Sequence, residues 1–107
     1  MSKEKEISEI ERIKNSIEHH FSQYQDYKYK SKNASKKDDR NRASDYMYTH
    51  ANFIERELHS SLVFSEISDQ NQFQFENFSR YVESDVPDYL KKIESLLERL
   101  KSEKDKE

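Results

Sequence analysis

The feature that most constrains this 107-residue chain is what it lacks: there is no glycine, and Pro87 is the single proline. Without glycine, no residue adopts a left-handed backbone at low cost, so tight hairpin turns and phosphate-cradling loops are disfavoured. Without further prolines, little interrupts a helix once it has begun. Hydrophobic residues make up 32% of the chain and charged residues 38%. Ordinary globular domains carry about 45–50% apolar and about 25% charged residues. That balance fits either disorder or long helices with a narrow apolar stripe. An aromatic content of 12% and sustained helical spacing select the helices.

The first stripe comprises Ile7, Ile10, Ile13, Ile17, Phe21, Tyr24 and Tyr27, spaced three or four residues apart on one helix face. Ser2 precedes it, and Glu4 and Glu6 suit a first turn, so a helix is expected from about 4 to 30. The seam changes from isoleucine to tyrosine towards its end, which suits a wetter boundary. Residues 28–42 carry seven Lys or Arg against Asp38 and Asp39, with no large apolar residue after Tyr29. A basic polar connection is therefore expected over 31–41. Met47, Ala51, Ile54, Leu58 and Leu62 then predict a helix over about 42–66, with a turn at 65–72.

The third stripe runs through 73–100. Phe75, Phe78, Val82, Asp85, Tyr89, Ile93, Leu96 and Leu100 share one side of a helix. Pro87 cannot donate the backbone hydrogen bond that a continuous helix requires there. The helix is expected either to kink or to stop and restart; the restart, which every local residue suits, gives helices over about 70–85 and 87–103, with Ser84 or Asp85 as the second N-cap. The fold expected is all-α: an elongated antiparallel helical hairpin or three-helix bundle with coiled-coil-like seams, kinked or broken near Pro87, in a single domain over 1–107.

No chemistry-bearing constellation stands out. His19 and His20 are adjacent and His50 and His59 stand nine apart, so none forms the i, i+4 pair of a helical zinc site. Boundary or surface histidines are expected, with no catalytic residues, no cofactor and no metal. With 22 acidic residues, no carboxylate pair is singled out as acid and base. Cysteine is absent, which excludes disulfides and thiol chemistry and suits a reducing cytoplasm. The start of the chain is polar, so no signal peptide is expected, and no apolar run is long enough to span a membrane. A net charge of −3 argues against nucleic acid binding over the whole surface. The basic 28–42 segment keeps open an alternative: a self-associating structural or regulatory bundle, of phage type for instance, with weak nucleic acid contacts.

Tyr81 and Asp85 stand four apart, on the same helix face, in the aromatic-rich second half that also holds Phe73, Phe75 and Phe78. With its size, its Lys/Glu-rich start and its lack of glycine, the chain resembles the small helical helper proteins that accompany LXG-type toxins of the type VII secretion system. These resemble the WXG-type proteins in size and helicity, although this chain has no Trp-x-Gly turn. The resemblance implies a non-enzymatic targeting partner or chaperone, docked on the long helical N-terminal region of a toxin. It further implies an export signal at Tyr81 and Asp85, and a cytoplasmic protein exported with its partner by a route independent of a signal peptide. The partner-binding residues expected are Phe75, Phe78, Val82, Tyr89, Ile93 and Leu96, with Ile10, Ile13 and Ile17 closing the bundle. The same seams would also serve a second small helical helper, beside or instead of the toxin, or self-association.

Overall fold

The computed structural model describes residues 2–67 and 78–106, except for the side chains at 65, 67 and 78–81. Four helices follow in order: α1 (Lys3–Asn33), α2 (Lys37–Leu58), α3 (Ser61–Ile67) and α4 (Phe78–Asp105). Among the described residues there is no strand. The molecule is all-α and elongated, with extents of 58 × 27 × 19 Å.

α1 begins where the sequence provides for it. The Ser2 Oγ accepts a hydrogen bond from the Lys5 backbone N–H, and Glu4 and Glu6 stand in the positive first turn. Lys30 and Lys32 suit the negative last turn. Ile7, Ile10, Ile13, Ile17 and Tyr24 are buried, while Phe21 and Tyr27 pack half-buried against the same core.

The link from α1 to α2 is only 34–36, which corrects the polar connection expected over 31–41. Both helices reach into that basic stretch for local reasons. Asp38 and Asp39 occupy the first turn of α2, where they offset its dipole. Arg40 folds back and donates to the carbonyls of Ala34 and Ser35, at 2.8 and 3.2 Å. Ala43 is buried. The turn needs no glycine: Ala34 and Lys36 are both extended (φ −62°, ψ 141° and φ −98°, ψ 138°). No described residue has a positive φ.

α2 buries Ala43, Met47, Ala51, Ile54 and Leu58. It stops at Leu58, short of the expected 66, and His59 and Ser60 form a corner into α3. The Ser60 carbonyl accepts from the N–H groups of Val63 and Phe64. Its hydroxyl accepts from Leu62 N–H at 3.4 Å, so Ser60 caps the short helix. The corner turns Val63 into the core, where it is fully buried. Most of the turn expected at 65–72, and the start of the helix expected from 70, lie outside the described residues.

α4 runs through Pro87 without a stop, so the expected break into helices ending at 85 and starting at 87 is corrected, and Asp85 is not an N-cap. A proline inside a helix costs about 3 kcal/mol and leaves the carbonyl four residues back, here Glu83, without its helical donor. Val82, Val86 and Ile93 are fully buried on the same face, each contributing about 1.5–3 kcal/mol. Continuing the helix keeps all three in register with α1, and that burial outweighs the proline.

α1 lies at the centre. Ion pairs join Lys3 to Glu103, Lys101 to Glu11, Lys14 to Glu94 and Lys28 to Glu83, at 2.8–3.5 Å. The α4 numbers fall as the α1 numbers rise, so the two helices are antiparallel. Contacts of Arg12 with Glu57 and of His20 with His50 set α2 antiparallel to α1 as well. One continuous core results, built on Ile10, Ile13, Ile17, Ile54, Leu58, Val63, Val82, Val86 and Ile93.

Candidate docking surface

The side of the α1–α2 pair that carries a line of aromatic rings is built from the residues flanking each seam. On α1 these are Ser16 and His20, joined by Tyr27 from the wet end of the seam itself; on α2 they are Tyr46, His50, Phe53 and Glu57, spaced three or four apart. Because the helices are antiparallel, the two sets interleave. Phe53 stacks on His20 (4.8 Å between ring centroids, 16°) and His50 stacks on Tyr27 (5.5 Å, 13°). Tyr46 leans on Tyr27 at 5.2 Å. The Nδ1 atoms of His20 and His50 are 2.8 Å apart, so one imidazole donates N–H to the bare nitrogen of the other in complementary tautomers.

Charges frame this strip. Lys30 Nζ lies 5.3 Å from the Tyr27 ring centre and the Arg56 guanidinium 5.8 Å from that of Phe53. At the other end Glu57 accepts from Arg12 and from Ser16 Oγ. Burial lowers the basicity of both histidines, and the neighbouring imidazoles deepen the effect; Glu57 partly offsets it for His20. Tyr46 and Phe53 remain 47% and 41% exposed, two partly open rings on one face. Beside Tyr46, a groove of about 160 Å³ is lined by Tyr27, Lys30, Asp39 and Arg42. Among the described residues no group of three or more His, Cys, Asp or Glu side chains is placed to hold a metal ion. No helix of the described residues is long and apolar enough to cross a membrane.

No protein family, curated protein or solved structure matches this chain. Its surfaces must therefore be read from their own chemistry.

The residues expected from the sequence to meet a partner are placed differently from this strip. Val82, Ile93 and Leu96 are buried among the chain's own helices, and Tyr89 is half-buried at the edge of the same core. A partner could reach the first three only by displacing α1 or α2. Phe75 and the side chains of Phe78 and Tyr81 lie outside the described residues. Asp85 is half-buried inside α4, where its Oδ1 accepts from Ser84 Oγ at 3.4 Å. Sequence reasoning missed the aromatic strip. His20 stands three residues after Ile17, and His50 three after Met47, so both sit beside the seams; only the hairpin register shows that they meet.

Proposed function

We propose that this chain is a non-enzymatic helical binding protein that docks on a helix of another protein through the aromatic face of α1 and α2. The half-exposed pair Tyr46 and Phe53, set in a continuous line of rings, is the observation that carries this reading. Rings of this kind supply large contact area at low entropic cost, and a helix laid along a groove between two helices can cover them. Lys30, Arg42 and Arg56 border the strip and outnumber Asp39 and the Arg12-paired Glu57, so the matching helix carries carboxylates beside its apolar residues.

The resemblance to LXG-toxin helpers supplies the partner: the helical N-terminal region of a type VII secretion toxin, for which this chain acts as a targeting partner or chaperone. Tyr81 and Asp85 remain the candidate export signal within that reading.

Co-expression with the N-terminal region of an adjacent LXG toxin tests the proposal. A co-purifying complex is expected, weakened at least tenfold by combining Tyr46→Ala with Phe53→Ala, two partly exposed residues whose loss leaves the core filled. The absence of a complex overturns the partner. A complex indifferent to both substitutions overturns the surface. Dimerisation of the isolated chain through the same residues favours self-association instead.

A further inference from the structure

His20 and His50 approach each other in a way that serves more than a hydrogen bond. Their Nδ1 atoms are 2.8 Å apart, one on each helix of the hairpin. Phe53 and Tyr27 hold the two rings by stacking on their faces. As a hydrogen-bonded pair they share one proton between two nitrogens. A metal ion can take the place of that proton once the donor ring shifts to its Nε2–H tautomer and both rings tilt so that their Nδ1 lone pairs converge on the ion. With metal–nitrogen bonds of about 2.0–2.1 Å, two ligands at a right angle stand about 2.9 Å apart, whereas two at the tetrahedral angle stand about 3.3 Å apart. The observed separation fits the right angle, the geometry of square-planar and octahedral ions, and neutral imidazole suits nickel and copper among these.

We infer that His20 and His50 form a two-histidine clip for a divalent transition metal of the nickel–copper type, tying α1 to α2 in the middle of the aromatic strip. The protein supplies two ligands, and water or a partner's side chain fills the remaining positions. His19, whose ring meets that of His20 edge-on at 5.3 Å, and exposed His59 serve as internal controls. The clip is independent of the docking reading, since either can hold without the other.

The test uses the full chain without a histidine tag, stripped with chelator, at pH 7.5. Excess Ni²⁺ is expected to raise the melting temperature by about 5 °C, reversibly with EDTA, because an ion bound only by the folded state stabilises it. The rise is expected to vanish in His20→Ala and in His50→Ala and to persist in His19→Ala and His59→Ala. Should the first two variants fold poorly, substoichiometric Cu²⁺ on the unaltered chain decides the matter by NMR. Selective broadening of the His20 and His50 ring signals supports the clip. No rise with Ni²⁺, a rise that survives in His50→Ala, or broadening centred on His19 or His59 overturns it and leaves a hydrogen-bonded pair alone.

Discussion

Tyr89 ties an individual side chain to the stability of the whole chain. Burial, followed by the nearby carboxylates of Asp85 and Asp88, pushes its hydroxyl up to about 12. In the unfolded chain a tyrosine ionises near 10. Between those values the unfolded state releases a proton that the folded state retains, so the contribution of Tyr89 is complete below pH about 10 and is lost as pH rises towards 12. Burial moves Tyr24 in the same direction. Lys28, raised chiefly by its hydrogen bond to Glu83, also loses stabilising charge in alkali. Tyr89→Phe is therefore expected to make the fall in urea midpoint between pH 9 and 11 shallower than in the unaltered chain. An equally steep fall would show that Tyr89 ionises as freely folded as unfolded. At this scale the sequence was legible where a residue sits in the middle of a stripe: Ile10, Ile13, Ile17, Ile54 and Leu58 are all in the core. Stripe edges were not legible. Whether His20 meets solvent or His50 depends on a neighbouring helix and its register, and neither is encoded within a few residues.

The elements show where local signals compete. Each residue around Pro87 suits a restarted helix, yet α4 continues, because Val82, Val86 and Ile93 keep their common face only if it does. Replacing Pro87 by Ala separates the two arrangements. Inside a continuous helix it restores the hydrogen bond to Glu83 and is expected to stabilise by about 1–2 kcal/mol, after allowing for the greater freedom of the unfolded chain. At a helix start the same change would be neutral or destabilising. Urea unfolding measures the difference, and a loss of stability would contradict the continuous helix. The hairpin tip taught a different lesson. Over 28–42 the sequence offers charge but almost no apolar residue, so periodicity is silent and a solvated helix end reads like a loop. Arg40 settles the outcome by bonding backwards to the carbonyls of Ala34 and Ser35, a contact that has no signature in composition.

For the whole molecule, the charge-rich composition goes largely into register. The pairs from α1 to α4 sit at the surface, where each contributes about 0–1 kcal/mol, but their order permits only one antiparallel alignment. A double-mutant cycle on Lys28 and Glu83, with each changed to Ala singly and together, is expected to give a favourable coupling below about 1 kcal/mol in urea unfolding. No coupling at low salt would place the two side chains apart and shift the α1–α4 alignment. The all-α, hairpin-based architecture was legible because three long stripes admit few arrangements. The position of each helix along its neighbour was not, since it depends on contacts such as Arg99 with Glu66 between distant parts of the chain.

The central position of α1 has a consequence in time. Ribosomes add about 5–20 residues per second, so α1 emerges several seconds before α4 is made. During that interval α2 can cover one flank of the isoleucine seam, while the flank that will receive Val82, Val86 and Ile93 stays open to water. The nascent hairpin is thus a ready acceptor for any amphipathic helix nearby, and its own α4 must arrive in competition with those rivals.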